Sequence, residues 1–159
     1  MRGRAFCSRS RRDEPVSVQQ YHKTLEELRQ ILASVKTIAV VGLSDRPDRP
    51  SYGVAAYLKG QGYRIIPVNP KVREVLGEKA YANLRDVPEA IDMVDIFRRP
   101  EFVPEVVEDA IAVGAKVVWM QLGIVHEAAA ARAEAASLTV VMDECAGATH
   151  RHLRAMGKL

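Results

Sequence analysis

The stretch Lys36-Thr37-Ile38-Ala39-Val40-Val41-Gly42-Leu43-Ser44-Asp45 decides the fold. It is a short apolar, β-branched run that stops at a glycine and is followed by small polar residues. A second run, Tyr63-Arg64-Ile65-Ile66-Pro67-Val68-Asn69-Pro70, follows after an interval long enough for a helix. This arrangement is typical of the first βαβ unit of a nucleotide-binding sheet. A ligand phosphate is then expected at the strand end, where free N–H groups of the next helix and its dipole favour anions.

Outward from this unit, apolar runs alternate with helix-like segments. We predict strands at 37–41, 64–68, 92–97, 116–120 and 138–142, with a short edge strand or loop near 78–81. Helices are predicted at 16–32, 52–60, 86–90, 101–113, 126–136 and 149–156. Four of the five strands are continuous apolar runs, as in parallel sheets covered on both faces. The sequence therefore predicts an α/β fold: a Rossmann-like three-layer sandwich with a mainly parallel five-stranded sheet.

The bulk composition predicts one globular domain. The chain has 159 residues, of which 48% are apolar and 27% charged, enough for a single core without disulfides or metals. Its two cysteines, Cys7 and Cys145, lie far apart in sequence, which argues against a disulfide framework. No apolar run approaches the ~18 residues needed to span a membrane, and no secretory signal is evident. We therefore expect a cytoplasmic protein without membrane attachment.

The positive charge is concentrated at the start of the chain. Five arginines fall within the first dozen residues, and they exceed the whole formal net charge of +3. Residues 1–15 are predicted to be a disordered basic tail, and residues 16–159 the folded domain. A solvated leader is the favoured interpretation. Contact with an acidic protein partner stays open, and nucleic-acid binding is not favoured because the domain itself is not basic.

The residues that follow the strands predict the ligand site. In an open parallel sheet, ligands bind beyond the carboxyl ends of the strands. The segments found there combine small residues, hydrogen-bonding groups and cations, which a pyrophosphate needs. They are Gly42-Leu43-Ser44-Asp45, Asn69-Pro70-Lys71, Arg98-Arg99-Pro100, Gln121-Leu122-Gly123 and Asp143-Glu144-Cys145.

Two departures from the dinucleotide fingerprint indicate the kind of ligand. Only Gly42 of the expected glycines is present, and a long proline-containing loop up to Ser51 and Tyr52 replaces the tight turn. The second strand ends in Asn69-Pro70-Lys71, where NAD binding normally requires a carboxylate for the ribose hydroxyl. Lys71 would instead attract a phosphate. The sequence thus favours a ligand with a phosphate on or near its ribose.

Five motifs in order resemble the family of small stand-alone CoA-binding-domain proteins, similar to the N-terminal domain of the succinyl-CoA synthetase α subunit. They are Ile38-Ala39-Val40-Val41-Gly42-Leu43-Ser44, Gly62-Tyr63-Arg64-Ile65-Ile66-Pro67-Val68-Asn69-Pro70, Val94-Asp95-Ile96-Phe97-Arg98-Arg99-Pro100, Val118-Trp119-Met120-Gln121-Leu122-Gly123-Ile124 and Val141-Met142-Asp143-Glu144-Cys145.

The resemblance covers about residues 25–155 and implies a Rossmann-like domain that binds coenzyme A. It implies that Gly42, Leu43 and Ser44 face the phosphates, and that Asn69 and Lys71 lie near the 3′-phosphate of the adenosine. Arg98 and Pro100 would line the adenine and pyrophosphate cleft, and Gln121 and Gly123 the pantetheine side. The loop residues Ser51 and Tyr52 complete the expected binding set. Glu144 stands where the family usually has a basic residue.

The sequence offers no catalytic or metal-ligating set. Cys145 is expected to be a packed thiol and His126 an ordinary helix-terminal histidine. We therefore expect a non-catalytic or regulatory protein that binds coenzyme A or an acyl-CoA. Two alternatives stay open: an NAD(P)- or nucleotide-sugar-linked enzyme on the same fold, and an interaction module that senses CoA status through its basic tail. Association with a protein partner or with itself also stays open.

Overall fold

The computed structural model describes residues 18–159. The predicted tail, residues 1–15, and the first two residues of the predicted domain lie outside the described residues. The strands are β1 (Thr37–Val41), β2 (Arg64–Val68), β3 (Glu74–Val75), β4 (Glu78–Lys79), β5 (Met93–Ile96), β6 (Val117–Met120) and β7 (Thr139–Val141). The α-helices are α1 (Leu25–Ser34), α2 (Pro50–Gly60), α3 (Val103–Ala112), α4 (Glu127–Ala135) and α5 (Ala146–Ala155). Single 3-10 turns occupy Val18–Tyr21, Leu84–Asp86 and Pro100–Phe102.

Five strands form one parallel sheet in the order β2-β1-β5-β6-β7. The segment near residues 74–79 forms a separate antiparallel pair, β3 with β4. Side chains alternate across the sheet, so each face has its own apolar cluster. Ala39 and Val94 belong to the cluster that packs on α3 and α4, whereas Val40 and Trp119 belong to the cluster with α1, α2 and α5. The predicted Rossmann-like three-layer fold is confirmed.

Helix boundaries differ from the predictions where local caps decide them. The predicted helix at 16–32 divides into a 3-10 turn and α1, because Thr24 begins a capping box. Its hydroxyl accepts from the Glu27 N–H at 3.2 Å, and the Glu27 carboxylate accepts from the Thr24 N–H at 2.7 Å. Similarly, α5 begins at Ala146 rather than at residue 149, because the Cys145 sulfur accepts from the Ala148 N–H at 3.5 Å.

The predicted helix at 86–90 is wrong. A 3-10 turn at Leu84–Asp86 takes its place, and the chain then runs irregularly to β5. Pro88 explains the difference, because a proline disfavours the helical conformation at the residue before it. Val87 is accordingly extended, with φ −69° and ψ 119°. Within residues 18–159, no helix combines the length and the apolar character needed to cross a bilayer.

Candidate functional site

The carboxyl ends of β1, β2 and β5 meet at one point of the sheet edge. β1 lies between the other two strands, so the chain moves to opposite sides of β1 for β2 and for β5. Such a switch in strand order opens a crevice between the loops that follow the strands. Here the Gly42 N–H donates to the Val68 carbonyl at 2.8 Å, and the Phe97 N–H donates to the Val41 carbonyl at 2.9 Å. These two bonds hold the three loops together around the tip of β1.

Two clefts adjoin at this tip and share Gly42 and Phe97. One, of about 260 Å³, extends over the ends of β2 and β5 and is lined by Asn69, Lys71 and Arg98 among others. The other, of about 370 Å³, extends towards the start of α2 and is lined by Ser44, Arg46, Arg49 and Ser51 among others. The two adjoining clefts, with Gly42 at their junction, are together called the branched crevice around Gly42.

Gly42 is required by the backbone itself. Its φ is +85°, a left-handed backbone conformation that residues with a side chain rarely adopt. An added Cβ would also collide with the carbonyl oxygen of Phe97. The sequence interpretation gave this glycine mainly a ligand role. The structure gives it a second reason: only a glycine lets the loop after β5 approach β1 this closely.

Hydrogen bonds within the loops preorganise the crevice. The Ser51 hydroxyl accepts from the Ser44 N–H at 3.1 Å, and the Ser44 hydroxyl accepts from the Arg46 N–H at 3.1 Å. The Asn69 amide donates to the Leu43 carbonyl at 3.0 Å and accepts from the Lys71 N–H at 2.9 Å. A hydroxyl that accepts one bond still has its own hydrogen to donate. The two serines can therefore donate to an anion without giving up these contacts.

Four cationic side chains line the crevice. Lys71 and Arg98 border the first cleft, and Arg46 and Arg49 border the second. The Arg98 guanidinium lies 4.3 Å from the centre of the Phe102 ring, which orients it. Arg46 pairs with Asp48 at 3.4 Å, but both side chains are well exposed, so this pair is weak and exchangeable. This distribution of charge favours an elongated ligand with more than one anionic group.

Arg46 and Arg49 are functional candidates that sequence reasoning missed. They belong to the Arg46-Pro47-Asp48-Arg49-Pro50 loop, which the sequence indicated only as a replacement for the tight turn. The available signal was Arg49, directly before Pro50, the first residue of α2, with Arg46 three residues earlier in the same loop. A cation at that place lies beside a helix N-terminus, where anions bind.

Several expected site residues lie elsewhere. The Leu43 side chain is fully buried in the core beside α2, so it cannot face the phosphates as the resemblance implied. Tyr52 packs against the same cluster, and Pro100 is exposed at the start of a 3-10 turn. Gly123, with φ +83°, donates its N–H to the Asp143 carboxylate at 2.6 Å. None of the four is among the residues that line the two clefts.

Gln121, expected on the pantetheine side, instead serves a buried carboxylic acid. Its amide donates to Asp95 Oδ1 at 2.5 Å, while Asp95 Oδ2 has no protein partner. Asp95 is fully buried in β5 between Val40 of β1 and Trp119 of β6. Burial raises the pKa of Asp95 to about 7, although the Gln121 hydrogen bond opposes the shift. The signal in the sequence was a carboxylate inside an otherwise apolar strand.

Other reactive side chains have structural roles. His126 caps α4, because its Nδ1 accepts from the Ala129 N–H at 3.0 Å, as expected for a helix-terminal histidine. Cys145 caps α5 through its sulfur and is half-buried. Within the part of the chain that the structure describes, no three His, Cys, Asp or Glu side chains gather as a metal site would require.

Comparison with known proteins identifies relatives of two kinds. The sequence pattern of the protein family described as "CoA binding domain" matches residues 36–151. An uncharacterized protein of Bacillus subtilis, YneT, is 45% identical over 124 residues, which cover 78% of this chain and 92% of YneT. An ADP-forming acetate–CoA ligase of Archaeoglobus fulgidus is 31% identical over 99 residues, but these cover 61% of this chain and only 15% of the ligase.

A solved structure is similar over nearly the whole described fold. A hypothetical protein from Pyrococcus horikoshii superposes with a TM-score of 0.82 and 40% sequence identity. The superposition covers 89% of this chain and 99% of the archaeal one. The chain is thus similar over 78% and 89% of its length to these two small proteins, and over 61% of its length to a much longer ligase.

Replacing Gly42 by alanine should destabilise the fold. We expect Gly42→Ala to lower the free energy of unfolding by at least about 2 kcal/mol, because it adds a left-handed alanine and a backbone collision. Gly53→Ala is the matched control: its Cβ meets nothing within 4 Å in α2, so it should stabilise by roughly 0.5–1 kcal/mol. Urea unfolding followed by circular dichroism measures both. A Gly42→Ala variant as stable as the parent would contradict the collision of its Cβ with the Phe97 carbonyl oxygen.

Asp95 should make the stability fall as the pH rises. Its pKa is about 7 in the folded state and about 3.9 in the unfolded chain, so between these values the folded state binds the extra proton. Asp95→Asn removes this proton uptake. Its stability relative to the parent should therefore increase by about 2–4 kcal/mol between about pH 4 and about pH 8.

Urea unfolding of both proteins at the two pH values measures this difference. Asp109→Asn, at a partly exposed carboxylate paired with Arg85, is the control and should show no comparable gain. An Asp95→Asn variant whose advantage is the same at both pH values would contradict the assignment of a protonated, buried acid.

Proposed function

This chain belongs to the CoA binding domain family, and from that premise we propose that it binds coenzyme A or an acyl-CoA in the branched crevice around Gly42. The observation that carries the proposal is the placement of the four cations. Arg46 and Arg49 line one branch, and Lys71 and Arg98 the other. Coenzyme A has a pyrophosphate and a separate phosphate on its ribose, so it needs cations at two places.

In this proposal the pyrophosphate lies between Gly42 and the start of α2. Ser44 and Ser51 donate their hydroxyl hydrogens to it, and Arg46 and Arg49 balance its charge. Pro50 is the first residue of α2 and has no N–H, and the Arg49 side chain does not cap the helix. The helix N-terminus is therefore left for an anion to approach.

The ribose phosphate lies near Lys71. Asn69, which replaces the carboxylate of NAD-binding proteins, has its amide engaged with Leu43 and Lys71. The Lys71 ammonium is exposed at the rim of the first cleft. A phosphate there gains a charge-assisted contact that a bare ribose hydroxyl would not. This arrangement favours coenzyme A over NAD.

The role proposed is binding, not catalysis. The described residues that line the two clefts include no carboxylate, imidazole or thiol. Such groups supply general acid–base and nucleophilic chemistry in most enzymes. The match covers only 15% of the ligase relative, so the ligase activity is not extended to this chain. Cytoplasmic location and association with a protein partner or a second copy stay predictions from the sequence.

The two phosphate positions can be separated with coenzyme A and its 3′-dephospho form. Lys71→Gln should weaken coenzyme A about tenfold and leave dephospho-CoA affinity unchanged, because only the ribose phosphate meets this lysine. Arg46→Gln should weaken both ligands by a similar factor, because both carry the pyrophosphate. Isothermal titration calorimetry at fixed salt measures these affinities.

Arg132→Gln is the charge-matched control, since Arg132 pairs with Glu108 on the α3–α4 side and lies outside both clefts. It should leave both affinities unchanged. The proposal fails if the parent protein does not bind coenzyme A at micromolar concentrations while it binds NADH well. If Arg132→Gln and Lys71→Gln lowered the affinity for coenzyme A equally, the loss would reflect the overall charge of the protein and not a contact with Lys71.

A further inference from the structure

A second cavity, of about 550 Å³, lies at the opposite edge of the sheet, where β1 and β2 begin. Its apolar wall includes Leu32 of α1, Val35 directly after α1, and Tyr63 directly before β2. His150 of α5 closes another side. None of these residues lines the crevice around Gly42, so the cavity needs an explanation of its own.

The charged side chains that line this cavity are all positive, and Leu159, whose α-carboxylate ends the chain, lines it as well. The positive side chains are Lys36, Arg64 and Arg154, and no aspartate or glutamate is among the lining residues that the structure describes. Arg64 is neutralised by Glu78 and Glu89, and Arg154 is bonded to the Gln61 amide oxygen.

Lys36 is different, because its ammonium has no ion-pair partner among residues 18–159. The nearby Asp92 carboxylate accepts from the backbone N–H groups of Lys36 and Thr37, at 2.9 and 3.0 Å. Its only side-chain ion pair in the described chain is with Lys116, at 3.7 Å. No carboxylate of residues 18–159, the terminal one of Leu159 included, lies within ion-pair distance of the Lys36 ammonium.

The aromatic side of the cavity is held in place by contacts of His150 with two tyrosines. His150 Nδ1 lies 3.0 Å from the Tyr57 hydroxyl, and its ring meets Tyr57 and Tyr63 edge-on at 5.5 and 5.6 Å between centres. The Tyr63 hydroxyl donates to the Leu32 carbonyl at 2.6 Å. Burial, assisted by Arg154, lowers the pKa of His150. The imidazole is then neutral at neutral pH, and Nε2 is the ring nitrogen left for a ligand.

We propose that this cavity is a second ligand site, for a small amphiphilic carboxylate whose hydrocarbon part contacts Leu32, Val35 and Tyr63 and whose head pairs with Lys36 and Arg154. The apolar wall gains from burying a hydrocarbon chain. Lys36 gains an ion-pair partner in the carboxylate head. A cavity that is partly apolar and partly cationic selects against both neutral hydrocarbons and highly charged nucleotides. The inference does not depend on the proposed binding of coenzyme A.

Two-dimensional amide NMR of the full chain titrated with sodium octanoate tests the proposal. We expect saturable shifts at millimolar octanoate for Gly62, Tyr63 and Arg154, with no comparable change at Gly42. Octanol, which has the same chain without the charge, should bind at least about fivefold more weakly. Coenzyme A added to the same sample should shift Gly42 and leave Gly62 in place, so the two sites are read separately.

Two lysine variants test whether octanoate binding requires Lys36 in particular. Lys36 and Lys116 both directly precede a strand at this edge, but only Lys36 lines the cavity. Lys36→Gln should weaken octanoate at least about fivefold, whereas Lys116→Gln should leave its affinity unchanged. The proposal is overturned by an absence of saturable shifts, by equal binding of octanol, or by equal effects of the two variants.

Discussion

The close approach of the Phe97 carbonyl to Gly42 is the constraint on which the candidate site depends. A side chain at residue 42 would collide with that carbonyl, so the loop after β5 would have to move away from β1. The Phe97 N–H and the Gly42 N–H both bond to neighbouring strands, which fixes the tip of β1 between β2 and β5. The two clefts share this tip. Gly42 is therefore needed for the shape of the crevice, and any contact of Gly42 with a ligand depends on that shape.

Sequence periodicity predicted the sheet well because its strands are bounded by strong local signals. β1 and β2 begin and end where predicted, since each apolar run stops at a glycine or an Asn-Pro pair. The wrong helix at 86–90 shows the limit of this reasoning, because Pro88 acted on the residue before it. The ends of β1 and β2 were thus predictable from the apolar runs and the residues that follow them, whereas several helix starts depended on single side-chain caps.

The candidate site was predictable only where position along a strand fixes position in space. Asn69, Arg98 and Ser44 come one, two and three residues after the strands that precede them, and the structure places all three on the crevice. Leu43 follows the same strand as Ser44, but its side chain packs inward, and burial of this kind is set by tertiary packing. Arg49 was missed for the converse reason. It lies seven residues beyond Gly42, and the path of the loop back to the crevice cannot be read from local pattern.

The buried acid Asp95 is a polar group inside the sheet, close to the crevice. It lies in register with Val40, two residues before Gly42, and two residues before Phe97. The free-energy cost of burying Asp95 is reduced by the Gln121 hydrogen bond and by protonation of the carboxylate. Gln121 is thereby committed to the core.

A crystal structure of the protein with coenzyme A tests the central claim most directly. The account predicts that the pyrophosphate contacts the loop from Gly42 to Ser51 and that the ribose phosphate lies within ion-pair distance of Lys71. Coenzyme A bound anywhere else, or with its ribose phosphate turned away from Lys71 into solvent, would contradict it.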